Sequence, residues 1–245
     1  MKRSAKKTSS GGKIFGILFA LLAVIVIVVG FLFFNPFGGK VSNTAKKTNG
    51  SSTSASSQTV KYEPSQEEKD YLKNRFDQLI AVNPEAIAYV YAPGTELDEP
   101  VVQTTDNETY LNKTFDGGNV PYLGTVFMDM DNKKDFSDRL TWLFGHARGS
   151  KVGDHRMFND VNFYDKQDYF DQHPYVVIET PERKYYYEAM CLVIVPETTA
   201  FYRTSFKDDK DFTTQLKKVY EDGQTKNPNI KIKASDKYLV LSTCR

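Results

Sequence analysis

The sequence predicts a mainly β domain, a closed or nearly closed β-barrel with helical insertions. Seven short apolar stretches are separated by turn residues such as Pro93-Gly94 and Asp131-Asn132. Only two stretches of the folded part have the 3.6-residue period of an amphipathic helix. The 15 Tyr and 17 Phe also suit a β-rich core better than a helical bundle. Many short strands with so few helices are typical of barrels.

The predicted elements are distributed between residues 65 and 242. The strands are Ile87–Tyr91, Pro100–Gln103, Thr125–Met128, Leu140–Phe144, Tyr175–Glu179, Tyr185–Val195 and Tyr238–Ser242. A first helix is predicted to begin at the capping pattern Ser65-Gln66-Glu67-Glu68 and to end at Asn83-Pro84. Its apolar stripe consists of Leu72, Phe76, Leu79 and Ile80. A second helix is predicted over about Lys210–Glu221.

The N-terminal part divides the chain into further regions. We expect a basic cytoplasmic tail over residues 1–13, a transmembrane anchor over 14–34, a flexible stalk over 35–62 and the folded domain over 63–245. The apolar run of 21 residues can span a hydrocarbon core of about 30 Å. The basic residues before it place the N-terminus inside and the domain outside the cell membrane. The alternative is a cleaved signal peptide, whose apolar region is normally only about 7–15 residues long.

The charge distribution is uneven and excludes one class of partner. Residues 1–60 hold eight Lys or Arg and no acidic residue, although the whole chain has a formal net charge of +1. The folded domain is therefore net acidic. A nucleic-acid-binding domain would show a basic face, so we expect no nucleic-acid partner.

The last predicted strand ends on a cysteine. Cys244 follows Ser242 and Thr243 at the polar end of the strand and directly precedes Arg245. A structural cysteine normally packs inside an apolar run, whereas a cationic neighbour favours the thiolate, which is the nucleophilic form. Cys244 is therefore the candidate nucleophile.

A thiol nucleophile needs a base, and the chain contains three histidines. His146 follows an apolar strand that delivers its imidazole at the strand end, and Gly145 permits another segment to approach closely there. A core histidine bonded to the backbone fits these residues equally well. His155 and His173 lie in polar stretches and are predicted to be surface residues. Together, Cys244 and His146 form a pair that can catalyse acyl transfer.

Cys191 is predicted to be a buried and inert thiol, because it lies inside the apolar stretch Ala189–Val195. A disulfide between Cys191 and Cys244 would abolish the chemistry of the candidate nucleophile, and we do not favour it.

One loop resembles a cation site. Its oxygen-bearing residues are Asp129, Asp131, Asn132 and Asp135. The spacing lacks the glycine and the final glutamate of an EF-hand, so the loop is predicted to be a solvated turn. No metal and no organic cofactor are predicted.

Several short motifs carry a family resemblance. They are Asn83-Pro84-Glu85, Val101-Val102-Gln103, Asp106-Asn107, Tyr110-Leu111, Gly124-Thr125-Val126-Phe127-Met128-Asp129, Phe144-Gly145-His146, Met157-Phe158 and Leu241-Ser242-Thr243-Cys244. Each is weak alone, but their order and spacing over Gln66 to Cys244 are those of one family. The chain resembles the class B sortases, which are membrane-anchored cysteine transpeptidases of Gram-positive bacteria.

The resemblance implies a sortase-type β-barrel with an N-terminal helix and a helical insertion before the last strands. It also implies a Cys–His–Arg trio in which Cys244 is the nucleophile and His146 the general acid and base. The residues that it places along the substrate groove are Asn107, Leu111, Thr198, Tyr202, Ser242 and Thr243.

Two departures from the family pattern bear on activity. Val240 stands where the last motif of the family usually begins with Thr. The arginine of the family lies on the next strand, and Arg245 is a poor substitute because neighbouring side chains of a strand face opposite sides. We expect a truncated sortase with an open sheet edge beside Cys244, inactive or nearly so for want of the oxyanion partner.

The implied function is cleavage of an Asn-Pro-x-Thr-like C-terminal sorting signal of secreted proteins through a thioacyl intermediate. A peptidoglycan-precursor amine then resolves that intermediate, in contact with the cytoplasmic membrane. Two alternatives stay open. One is a pilus-assembly sortase with a pilin lysine as acceptor, and the other is a catalytically impaired remnant that acts at most as a binding module.

Overall fold

The computed structural model describes residues 22–30, 62–147, 156–196 and 199–244, with the backbone alone for 22–30 and for 244. These residues form one curled, mainly β sheet with helices on its surface. The nine strands of the described part are β1 (Leu22–Gly30), β2 (Ala86–Tyr91), β3 (Asp98–Val102), β4 (Val126–Met128), β5 (Leu140–Phe144), β6 (Tyr175–Glu179), β7 (Lys184–Pro196), β8 (Thr225–Lys226) and β9 (Lys237–Cys244). Their order in the sheet is β1-β9-β5-β4-β3-β2-β6-β7-β8. The predicted mainly β class is confirmed.

Helix α1 (Gln66–Val82) begins and ends where the sequence predicts. The Ser65 hydroxyl accepts a hydrogen bond from the Glu68 amide at 3.1 Å, which satisfies one of the free N–H groups of the first turn. Leu72 and Phe76 are buried against the sheet, but Ile80 is 44% exposed. The predicted stripe is wrong at Ile80, because the buried face of the helix is limited to Leu72 and Phe76.

Helix α3 (Asp209–Asp222) confirms the second predicted helix and starts at Asp208, whose carboxylate accepts from the Asp211 amide at 2.8 Å. The sequence did not reveal α2 (Gln167–Gln172), the 3₁₀ segments Thr109–Leu111 and Asn159–Asp165, or β8. These elements contain two to seven residues each, too few to show a hydrophobic period.

Two apolar clusters lie on the two sides of the sheet. The larger one takes side chains from β2 to β7 and from β9, so it fills the inside of the curl. The other lies between β5, β7, β9 and α3. Strand β9 contributes Leu239 and Leu241 to the first cluster and Tyr238 and Val240 to the second. Burial on both faces explains why this strand is an unbroken apolar run.

The two central strands of the candidate site are parallel. β5 pairs with β9 in register from Leu140 opposite Tyr238 to Phe144 opposite Ser242. The β3–β4 pair is also parallel, and the other pairs of the sheet are antiparallel. Because β5 and β9 run in the same direction, their C-terminal ends meet at one edge of the curled sheet.

Strand β1 corrects one prediction. The expected open edge beside Cys244 is wrong, because Ala23 pairs opposite Cys244. Leu22–Gly30, the centre of the predicted transmembrane span, is a strand that lies between β7 and β9 and is antiparallel to both. β-branched Ile and Val dominate this segment, and they suit a strand as well as an apolar helix. The rest of the predicted span, 14–21 and 31–34, the tail and nearly all of the stalk lie outside the described residues.

A search of the described residues finds no helix with the length and apolar content needed to cross a membrane.

The pairing of β1 can be tested with a proline. Val26 lies opposite Leu192 of β7 and Leu241 of β9, so Val26→Pro removes a ladder N–H in the middle of the sheet. We expect the thermal unfolding midpoint of the full chain in detergent to fall by about 2–4 °C for each kcal/mol lost. A Val26→Ala variant controls for the loss of side-chain volume. An unchanged midpoint in the proline variant would show that β1 is not part of the stable sheet.

Candidate active site

The ends of β5 and β9 bring the predicted Cys/His pair together. His146 and Cys244 each come two residues beyond the last register pair, Phe144 opposite Ser242. The Gly145 amide still donates to the Ser242 carbonyl at 3.1 Å, so the two chains run side by side up to this point. Neighbouring strands of a sheet lie about 4.8 Å apart. The backbones of the candidate base and nucleophile are therefore neighbours.

Gly145 makes room for a ring beside the candidate base. A Cβ atom at this position would lie 3.0 Å from the Phe158 ring and 3.2 Å from a Val126 methyl group. Those contacts are tighter than most Cβ contacts, so a side chain here would require Phe158 or Val126 to shift. The predicted close approach at Gly145 is confirmed.

The His146 ring is held by a backbone carbonyl. Its Nε2 lies 2.7 Å from the Leu111 carbonyl oxygen, and the Tyr122 ring meets it edge-on with centroids 6.5 Å apart. Because a carbonyl oxygen can only accept, Nε2 must carry the hydrogen. In the neutral imidazole Nδ1 is then the basic nitrogen. This contact assigns Nδ1 as the atom that can take a proton from a thiol.

The 3₁₀ segment Thr109–Leu111 carries that carbonyl. It is held in place by hydrogen bonds of the Tyr110 side chain. The buried Tyr110 hydroxyl donates to Glu85 at 2.6 Å and receives a bond from the Asn83 amide at 3.0 Å. The Lys113 ammonium lies 3.6 Å from the same Glu85 carboxylate. The Tyr110 hydroxyl, more than Lys113, lowers the pKa of Glu85, so the carboxylate stays charged and keeps its bonds. The motif Asn83-Pro84-Glu85 thus serves to position the loop beside His146.

Asp106 holds the start of the loop that leads from residue 106 to Leu111. Its carboxylate accepts from the amides of Glu108 and Thr109 at 2.8 and 2.7 Å and from the Thr109 hydroxyl at 2.8 Å. These donors lower the pKa of the Asp106 carboxyl. Asn107 and Leu111 therefore sit on a backbone that is fixed at both ends.

Two of the predicted groove residues, Asn107 and Tyr202, donate hydrogen bonds to the same carboxylate, that of Asp129. The Asn107 amide donates to Asp129 Oδ2 at 3.1 Å, and the Tyr202 hydroxyl donates to the same oxygen at 2.5 Å. Leu111 is 38% exposed and Tyr202 46%, so both remain accessible to a ligand. The structure thus brings the predicted pair Asn107–Leu111 and Tyr202 to one end of the sheet.

The other predicted groove residues differ in position. Ser242 is half-buried, whereas Thr243 is only 3% exposed, and within the described residues its hydroxyl has no hydrogen-bond partner. Ser242 is the better placed of the two to meet a ligand. Thr198 lies outside the described residues, as does His155.

Cys191 and His173 are structural. Cys191 is fully buried, and burial raises the pKa of its thiol to about 12, so it stays protonated at neutral pH. His173 Nδ1 bonds to the Tyr169 carbonyl at 2.9 Å, with the two rings 4.1 Å apart. The burial of Cys191 and the raised pKa of its thiol both agree with the prediction that this residue is buried and inert.

The acidic loop after β4 is held by protein hydrogen bonds. Asn132 is buried, donates to the Leu140 carbonyl at 2.9 Å and accepts from the Trp142 amide at 2.8 Å. Asp129 is fully buried. The predicted solvated turn is wrong for these two residues, because both satisfy backbone donors or acceptors inside the fold. The described residues contain no group of three or more His, Cys, Asp and Glu that could hold a metal.

Comparison with known proteins finds relatives of one kind. Two curated proteins named Sortase B match about 70% of this chain. The one from Staphylococcus aureus is 26% identical over 176 residues, which are 72% of this chain and 70% of that protein. The one from Listeria monocytogenes is 28% identical over 175 residues, 71% of this chain and 68% of that protein. The chain is a homologue of the sortase B proteins.

Fold comparison agrees with the sequence. The solved Staphylococcus aureus sortase B–substrate complex superposes with a TM-score of 0.64 at 26% identity, covering 71% of this chain and 77% of that one. No family model matches the chain. Both comparisons therefore agree with the resemblance of the chain to the class B sortases.

Two residues of this site were not singled out from the sequence: Tyr122 and Gly124. Gly124 has φ +59°, and a Cβ atom there would lie 2.2 Å from the Tyr110 carbonyl oxygen. The only sequence signal for Gly124 is that it opens one of the family motifs. Asp129 was singled out only as a member of the cation-like loop and as the end of that motif. Tyr122 gave no signal.

Gly124→Ala tests the link from the loop to His146. The new methyl group would lie 2.7 Å from the Leu111 carbonyl oxygen, the atom that holds His146, so the loop must shift. We expect a loss of about 1–3 kcal/mol in stability and a fall in activity on the order of 10²-fold. Gly117→Ala is the matched control, since Gly117 has φ +88° but nothing within 4 Å of its Cβ position. Equal effects in both variants would mean that backbone strain alone is responsible.

Cysteine alkylation tests the assignment of the thiols. In the native chain at pH 8 we expect iodoacetamide to modify Cys244 and to leave Cys191 unmodified, because burial keeps the Cys191 thiol protonated and inaccessible. Both should react in denaturant. Modification of Cys191 in native Cys244→Ala protein, read by intact mass, would contradict its burial.

Proposed function

We propose that this chain is a class B-type sortase that cleaves an Asn-Pro-x-Thr-like C-terminal sorting signal of secreted proteins. The observation that supports this most is the parallel register of β5 and β9, which puts His146 and Cys244 at neighbouring strand ends. The Cys244 thiol is the nucleophile, and His146 is the general base and acid.

The first half-reaction forms a thioester. His146 Nδ1 takes the thiol proton, and the Cys244 sulfur attacks the carbonyl carbon of the signal threonine. The tetrahedral intermediate collapses as the C–N bond breaks, and the imidazolium returns its proton to the leaving amine. The Leu111 carbonyl keeps the ring oriented through this exchange, because Nε2–H donates to it before and after Nδ1 is protonated.

The second half-reaction transfers the protein to an acceptor. An amine of a peptidoglycan precursor attacks the thioester carbon, His146 takes its proton, and the Cys244 thiolate leaves. A new amide replaces the thioester, so atoms and charge balance without a metal or cofactor. A pilin lysine in place of the cell-wall amine would make the same enzyme a pilus-assembly sortase.

The proposed place of action is the outer face of the cytoplasmic membrane. The basic residues of 1–13 and the apolar run over 14–34 support an anchor with the N-terminus inside. Leu22–Gly30 cannot cross the membrane as a helix and pair with β7 and β9 at the same time.

A peptide assay tests the proposal. The full chain is incubated with a fluorogenic Asn-Pro-x-Thr peptide and triglycine, and the acyl-enzyme and the ligated product are followed by mass spectrometry. We expect release that depends on Cys244 and His146 and a ligated product in which triglycine follows the threonine. Cys244→Ala and His146→Gln should each lose all but a residual rate.

Cys191→Ala is the matched control, because it removes the other thiol, which is fully buried in β7. It should keep its activity once its stability is accounted for. Peptide binding without a thioester or release would instead identify a binding module. Efficient transfer to a lysine side chain but not to triglycine would favour pilus assembly.

A further inference from the structure

Asp129 is a charged residue that the proposed chemistry does not use, yet it is fully buried at the end of β4. Burying an unpaired carboxylate is costly, so its partners define its role. Three donors surround it: the Asn107 amide and the Tyr202 hydroxyl at Oδ2, and the Asp131 amide at Oδ1. All three groups donate to the Asp129 carboxyl oxygens, so the buried side chain is fully partnered as an acceptor.

The first two partners belong to different segments at the same end of the sheet. We call these segments the Asn107 wall and the Tyr202 wall. Asn107 belongs to the loop that positions His146, and Tyr202 belongs to the connection between β7 and α3. Asn107 is held from both sides, because its Oδ1 also accepts from the Met130 amide at 2.9 Å. The Asn107 side chain also hydrogen-bonds to Tyr202, which by itself lowers the pKa of the Tyr202 phenol.

The Tyr202 side is also fixed by packing. Its ring meets Trp142 edge-on at 5.2 Å, and Trp142 Nε1 donates to the Arg203 carbonyl at 2.9 Å. The Arg203 guanidinium makes a bidentate pair with Asp211 at the start of α3 and holds the pKa of that carboxyl at about 2. Burial and the bond to Asp129 raise the pKa of the Tyr202 phenol, so it remains a donor.

We infer that Asp129 is a positioning residue for substrate recognition: its buried carboxylate joins the Asn107 wall to the Tyr202 wall and sets their separation beside His146. This inference rests on the proposed function for its role in peptide binding. The junction itself rests on the hydrogen bonds alone. Asp129 contacts no reacting atom in this assignment and acts through the two residues that it holds.

Asp129→Asn tests the junction, because it keeps the shape of the side chain but replaces an acceptor by an NH₂ group that faces two donors. Asp131→Asn is the matched control, an exposed carboxyl two residues along the same loop. The first readout needs no substrate. The NMR resonances of the Asn107 side-chain amide and the Tyr202 ring, assigned with Asn107→Ala and Tyr202→Phe, should move together in Asp129→Asn and stay in place in Asp131→Asn.

The second readout is recognition of an Asn-Pro-x-Thr peptide. We expect Asp129→Asn to weaken peptide binding to a Cys244→Ala background roughly tenfold or more, as expected for the loss of charge-assisted hydrogen bonds. In active protein KM should rise more than kcat falls, because the reacting groups are untouched. If Asp129→Asn does not fold, Tyr202→Phe breaks the same junction from the other side and should shift the Asn107 resonance.

The outcomes separate the inference from the proposed function. Concerted resonance shifts with weakened binding support both. Resonances that move independently, or peptide affinity equal to that of Asp131→Asn, overturn the inference. If the unmodified chain binds no sorting peptide, the proposed function fails, and the resonance shifts alone decide whether Asp129 joins the two walls.

Discussion

The parallel pairing of β5 and β9 is the constraint on which the candidate site depends. Strand β9 is buried on both faces, with Leu239 and Leu241 inside the curl and Val240 under α3. Burial of each leucine favours this register by about 1.5–3 kcal/mol, and a slip of one residue would move every side chain to the opposite face. The apolar core thereby fixes the backbone positions of His146 and Cys244, although neither residue belongs to it.

Placing the ring needs a second constraint, because the strand end fixes only the backbone of His146. The Leu111 carbonyl supplies it, and that carbonyl is held through Tyr110 by groups that follow α1. Because Gly124 has no Cβ atom, the segment that leads into β4 packs directly on the backbone of Tyr110 and Leu111. The acid–base role proposed for His146 therefore depends on a chain of contacts that begins at Glu85, far from the thiol in sequence.

The sequence was informative where burial decided the structure and less so elsewhere. β5 and β6 were predicted to the residue, since each is a short buried run between turn residues. Asp129 lies in an acidic stretch that is typical of a solvated turn, and only the fold shows that its carboxylate is enclosed. Leu22–Gly30 shows the same limit, because periodicity cannot distinguish an apolar strand from an apolar helix. In each case the deciding partner lies far away along the chain.

Strand β1 also bears on the proposed catalysis, because it lies directly against β9, the strand of the candidate nucleophile. Pairing along β9 as far as Cys244 satisfies backbone N–H and C=O groups that an exposed edge would leave open. Backbone pairing does not depend on side-chain identity, but oxyanion stabilisation requires a cation or a directed donor. The segment LAVIVIVVG contains no charged residue. Closure through β1 therefore stabilises the sheet without bringing a cation to Cys244, so the oxyanion would have to be stabilised by donors from other parts of the site.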